Sequence, residues 1–123
     1  MAQNKSQAVY DFWSGFGWPA YDENTVPDDA ALPYITYETS TNGFDDGALS
    51  LSASLWSRSM SWATVEEKAA EIASYVGEGG VLVPYPNGAL WVYRGSPFTQ
   101  RLEEPGDDSL RRIVLSVSVE FLS

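Results

Sequence analysis

The chain has no histidine and no cysteine. Without an imidazole or a thiolate there is no Ser-His-Asp or Cys-His nucleophile system, no zinc finger, no thiolate-held cluster and no disulfide. Bases are scarce as well: 7 Lys plus Arg stand against 17 Asp plus Glu in 123 residues, a formal charge of -10. Proteins hold phosphate backbones by displacing counterions with Lys and Arg, so this balance opposes nucleic-acid binding. No apolar h-region follows the opening Met-Ala-Gln-Asn-Lys, and no stretch approaches the ~18–20 apolar residues of a membrane span. A protein made and kept in a cytoplasm, without membrane contact, is the expectation. Asn4-Lys5-Ser6 matches a glycosylation sequon, but no secretory signal accompanies it.

What is present is enough for one core. An apolar content of 44 % with 14 % aromatics, in a chain of this length, predicts a single domain over residues 1–123. Ala8, Val9, Phe12, Trp13 and Phe16 recur at spacings of three and four, which predicts a helix from Asn4 to Phe16 ending at Gly15 to Gly17. Residues 18–33 carry Pro19, Pro27 and Pro33 with four acids and read as an ordered loop anchored by Trp18 and Tyr21. Tyr34 to Ser40 and Ala48 to Trp56 alternate on either side of Asn-Gly and Asp-Asp-Gly turn chemistry, a hairpin signature. The second of these runs puts Leu49, Leu51, Ala53 and Leu55 opposite Ser50, Ser52 and Ser54. Leu110 to Leu122 repeats the arrangement with Ile113, Leu115, Val117, Val119 and Phe121 opposite Ser116 and Ser118. Matching serine faces predict that the two strands share a sheet and turn the same side to the core.

Thr64-Val65-Glu66-Glu67 has the form of a capping box and predicts a second helix with Val65, Ala69, Ile72, Ala73 and Val76 inward, stopped by Gly77. Val81 to Val83 and Ala89 to Arg94 then form a short hairpin about Pro86-Asn87-Gly88, and residues 95–109 read as a long aperiodic loop. The expected fold class is α+β: a largely antiparallel or mixed β-sheet of about five strands with two helices packed on one face.

Adjacent acids such as Asp28-Asp29, Asp45-Asp46, Glu66-Glu67, Glu103-Glu104 and Asp107-Asp108 mostly fall in turn-rich segments, where carboxylates are solubilising rather than catalytic. Asp45-Asp46-Gly47 lacks the ligand alternation of a calcium loop, and Gly77-Glu78-Gly79-Gly80 follows a helix instead of opening one. No catalytic site, metal or cofactor is expected. Five Trp and seven Tyr exceed what one small core absorbs, so some should sit at an interface. Trp56, Arg58, Trp62, Trp91, Tyr93 and Arg94 combine the residue types enriched at binding hot spots, and they are the candidates for a subunit interface. The acids are asymmetric, with eight and no base between Lys5 and Arg58, whereas five arginines lie from Arg58 onward. A head-to-tail contact between the two halves would be complementary in charge.

Trp18-Pro19-Ala20-Tyr21-Asp22-Glu23, Leu32-Pro33-Tyr34-Ile35-Thr36-Tyr37, Leu55-Trp56-Ser57-Arg58-Ser59 with Ser61-Trp62, and Arg94-Gly95-Ser96-Pro97-Phe98-Thr99-Gln100-Arg101 resemble, in order, the tail terminator (tail-completion) family of long-tailed double-stranded DNA bacteriophages. So do Asp107-Asp108, Arg111-Arg112-Ile113 and Glu120-Phe121-Leu122. The resemblance implies a non-enzymatic virion protein of the neck, assembled in the host bacterial cytoplasm. It would form a homohexameric ring on the tail tube protein, end tail elongation and offer the head-tail joining surface to a head-completion or connector protein. Genomic DNA would pass through the ring without sequence-specific binding. In that setting Phe98, Gln100, Arg101, Glu103, Glu104, Asp107 and Asp108 belong to a loop facing the tail tube or the lumen. The alternative from a different class is an acidic DNA mimic, a small monomer or dimer that inhibits another protein.

Overall fold

The computed structural model describes residues 2–38, 49–85, 88–104, 106–107 and 109–122. Among them lie two helices, α1 (Ala2–Ser14) and α2 (Ala63–Val76). Six strands accompany them: β1 (Ala20–Asp22), β2 (Tyr34–Tyr37), β3 (Leu49–Arg58), β4 (Val81–Tyr85), β5 (Gly88–Glu103) and β6 (Leu110–Leu122). The strands form one sheet in the order β1-β2-β3-β6-β5-β4. All neighbours are antiparallel except β1 and β2, so the sheet is mixed.

The serine alternation decides the central register. Ser50 stands opposite Ser118 and Ser52 opposite Ser116, while Leu51, Ala53 and Leu55 meet Val117, Leu115 and Ile113 on the other face. With a period of two, a slip of one residue would turn every one of these aliphatic side chains to water. Both helices pack on the aliphatic face. Val65, Ala69, Ile72 and Val76 of α2 and Ala8, Val9, Phe12, Trp13 of α1 are buried there against Ile35, Leu55, Leu90, Val92 and Leu115. Each fully buried Leu, Ile or Val contributes about 1.5–3 kcal/mol relative to exposure. α1 touches both β1 and β4, the two outer strands, so the sheet curls around this helix.

Four expectations change. The sheet has six strands, not five, because Ala20–Asp22 pairs in parallel with Ile35, Thr36 and Tyr37. Three residues between prolines show no periodicity, but the Pro19 carbonyl accepts from Ile35 N–H at 2.8 Å and the Tyr37 carbonyl from Glu23 N–H at 2.9 Å. The capping box does not form. α2 begins two residues earlier, with Trp62 rather than Thr64 at the N-cap, and Ser61 Oγ accepts from the Ala63 N–H at 3.0 Å, a serine turn in place of the Thr64 cap.

The third change is the largest. Residues 95–103 are not loop, because β5 runs on to Glu103 and pairs with β6 along its length. Between Arg94↔Val117 and Thr99↔Leu115, β5 advances five residues while β6 advances two, a bulge that absorbs Gly95, Ser96 and Pro97. A Cβ at Gly95 would stand 2.9 Å from the Ser116 carbonyl oxygen, so the bulge closes only on glycine. Fourth, α1 begins and ends two residues earlier than its apolar stripe predicts. The turn chemistry of residues 39–48, and Pro86-Asn87, lie outside the described residues.

Candidate interaction surface

The expected site residues separate into two groups at opposite ends of α2. At its N-terminal end the chain leaves β3, turns through Met60 and enters the helix at Trp62, while β5, β6 and the connection between them bring Arg101, Glu103, Glu104, Asp107, Arg111 and Arg112 to the same end of the molecule. Two guanidinium groups lie over the Trp62 ring, Arg101 at 4.7 Å and Arg111 at 5.2 Å from its centroid. Arg101 Nε also donates to Glu66 at 2.7 Å, and Arg111 Nη2 donates to the Met60 carbonyl at 2.8 Å. Arg111 Nε is buried without a hydrogen-bond partner. Met60 itself is 72 % exposed.

On the helix-free face of the sheet Trp56 is held by two groups. Its indole N–H donates to Thr36 Oγ1 at 2.9 Å, and the Arg112 guanidinium lies 4.6 Å from its ring centroid. Arg112 in turn donates to Ser54 Oγ at 3.0 Å and to Glu104 at 3.3 Å. Arg58 donates to Asp107 and to Ser109 Oγ, both at 2.8 Å. The Arg58 hydrogen bond, with those of the Ser109 side chain and backbone, holds the Asp107 carboxyl below the usual carboxylate range. Between these groups an open cleft of about 460 Å³ is lined by Met60, Trp62, Glu103, Glu104, Asp107 and Arg111. Gln100 is exposed on the helix-free face beside Val114. Asp108 lies outside the described residues.

At the other end, Trp91 and Tyr93 share the helix-free face with ring centroids 4.7 Å apart, and Trp91 Nε1 donates to the Gly79 carbonyl at 3.1 Å. Gly80 passes beneath them. Its φ is +81°, and a Cβ there would stand 2.5 Å from the Val92 carbonyl oxygen and 2.7 Å from Trp91 Nε1. Arg94 reaches the opposite face, where Nη2 donates to the Ala73 carbonyl in the last turn of α2 at 2.8 Å. A cation there complements the helix dipole. Phe98 lies 5.6 Å from the Arg94 guanidinium and packs against the core. All five arginines of the second half therefore find partners within their own chain.

One surface escaped the sequence reading. Phe12, Gly15 and Phe16 of α1, Glu71 and Tyr75 of α2, and Leu82 to Pro84 of β4 enclose a groove of about 290 Å³. Its wall is aromatic: Tyr75 meets Phe16 at 5.5 Å and Phe12 at 6.3 Å between ring centroids. Tyr75 is 56 % and Leu82 59 % exposed. The available signal was phase. Tyr75 falls outside the inward stripe of α2, and Leu82 points away from Val81 and Val83.

Among the described residues no helix is long and apolar enough to cross a membrane, and no group of three Asp or Glu side chains is placed to hold a metal ion. Among the described carboxylates Glu66, Glu104 and Asp107 are tied to arginines, Glu71 to Lys68 and Glu38 to the Ser52 N–H. No protein-family model matches the chain, and no curated protein sequence matches it. Its fold is similar to that of a chain in the solved structure of the virion of a native gene transfer agent particle. The TM-score is 0.63 at 16 % identity, over 100 % of this chain and 95 % of that one.

Proposed function

We propose that this chain is a structural, non-enzymatic bacteriophage virion protein, a tail terminator that forms a homohexameric ring on the tail tube, ends its elongation and provides the head-tail joining surface. The observation that carries the reading is the fold shared along the whole of this chain with a chain of a virion particle. The ordered sequence resemblance to the tail terminator family points the same way. Its partners are then further copies of itself, the tail tube protein and a head-completion or connector protein, and its place is the neck of the virion. A charge of -10 per subunit suits a channel wall that DNA must slide past without sticking.

The test is mass and shape. Light scattering is expected to give six copies of the 13.5 kDa chain, about 81 kDa, and negative-stain images a ring with a central hole. Added to polymerising tail tube protein, the ring is expected to shorten the tubes. A chain that stays a monomer or dimer at every concentration and has no effect on tube length overturns this reading in favour of the acidic DNA mimic.

A further inference from the structure

The helix-free face of the sheet carries an apolar patch where β4, β5 and β6 lie side by side. Across the strands Leu82 stands beside Trp91 and Trp91 beside Glu120, and in the next row Pro84 stands beside Ala89 and Ala89 beside Leu122. Leu82 is 59 % and Leu122 44 % exposed, and Pro84 is exposed between them. Both helices pack on the other face, so the described residues leave this one open.

The patch is held in shape before anything binds. Trp91 is fixed by its indole bond to the Gly79 carbonyl and by the Tyr93 ring, and Gly80 passes so close beneath it that a Cβ there would stand 2.7 Å from Nε1. A large ring already immobilised loses little freedom on contact, which is what makes an interface anchor effective. Interface cores are rich in Trp and Tyr and poor in charge, and these two rows hold a single charge, on Glu120.

That charge selects the partner. Glu120 is half-buried beside Trp91, and no cation among the described residues forms an ion pair with it. A surface that covers it has to bring a Lys or Arg, because burying an unpaired carboxylate is costly. A second copy of this chain is poorly equipped to do so. Arg58, Lys68, Arg101 and Arg112 are paired with carboxylates, Arg94 and Arg111 are bonded to backbone carbonyls, and each copy adds a charge of -10. The occupant is therefore a different protein. In the ring reading the head-joining surface has to wait in water on a finished tail, whereas the tube-facing surface is covered once the ring is seated. An exposed apolar patch suits the surface that is covered early and permanently.

We infer that this patch is where each subunit meets the tail tube protein, which presents aliphatic side chains around one Lys or Arg opposite Glu120. The inference rests on the ring reading and adds to it the face that stands on the tube.

The tube-shortening assay with polymerising tail tube protein tests it. Leu82→Asp and Glu120→Lys are each expected to raise the concentration needed for half-maximal shortening at least about tenfold, with circular dichroism and the six-copy mass unchanged. Glu67→Lys, an equal charge change on the exposed side of α2, is expected to leave shortening unaltered. Shortening that survives both patch variants overturns the inference while the ring stands, and so does a Glu67→Lys variant impaired as much as Glu120→Lys. Loss of the ring itself in either patch variant, with circular dichroism intact, makes the patch a joint between copies and overturns it as well. A wild-type chain that neither assembles nor shortens tubes overturns the ring reading and this inference together.

Discussion

Strands β3 and β6 present two faces built from alternate residues of the same backbone, and the faces have opposite duties. On the covered side Leu51, Leu55, Ile113, Leu115, Val117 and Val119 are each no more than 5 % exposed, so that side carries the burial energy of the fold. On the helix-free side Ser50, Ser52, Ser116 and Ser118 pair across the strands with little relief. The stabilising weight there gathers at one end, in Trp56 and Arg112. Because the covered face carries most of the burial, the helix-free face away from Trp56 is free to be shaped by whatever the molecule meets.

The comparison breaks most visibly at its covered side. Leu55→Ala or Leu115→Ala is expected to cost about 2–5 kcal/mol in denaturant unfolding, through lost burial and a residual cavity. If either costs under about 1 kcal/mol, the covered face does not carry the fold. Trp56→Ala removes a half-buried ring, one hydrogen bond and a cation contact, and a smaller loss of about 1–3 kcal/mol is expected. Ser52→Ala and Ser116→Ala are expected to stay within about 0.5 kcal/mol of the parent. A larger loss would mean that the serines, and not only the aliphatic face, specify the register.

The smallest effect is electrostatic and lies where the strands end. The Asp107 carboxyl is held below the ordinary carboxylate range, first by Arg58. A depressed folded pKa gives stability that is present above the unfolded pKa and is lost as pH falls through the folded one. Arg58→Ala is therefore expected to move the Asp107 titration, followed by carboxyl-carbon NMR, upward toward the ordinary range and to flatten the acid limb of the stability curve. An unmoved Asp107 titration would assign its environment to Ser109 alone.

Legibility followed period. The register of Ser52 with Ser116 was readable because both strands alternate over many residues, and α2 because its inward stripe spans three turns and ends at a glycine. What stayed hidden was short or interrupted. Ala20–Asp22 is too brief for alternation to show, and its pairing depends on partners in β2 fifteen residues away. Gly95-Ser96-Pro97 looks like the start of a loop because those residues break a regular ladder, whereas here they form a bulge and the strand resumes at Thr99. The same cause moved the candidate site. With residues 95–103 in β5, Arg101 is brought to Trp62 and Glu103 to Arg111, so residues from two surfaces that looked separate in sequence share one end of α2. The groove was invisible because it is assembled from three elements, none of which shows more than one residue out of phase.

The curl of the sheet around α1 bears on the order in which the molecule forms. This helix leaves the ribosome before the strands of the sheet, yet one of the strands it clasps, β4, is made about seventy residues later, so its final docking has to wait for that later strand. Contacts that close so long a loop come late on the folding path. Phe12→Ala is accordingly expected to accelerate unfolding far more than it slows refolding, a low φ-value, whereas Leu115→Ala in the central ladder is expected to act on both limbs of the chevron. The N-terminal helix would then be a clasp fastened after the sheet is already standing.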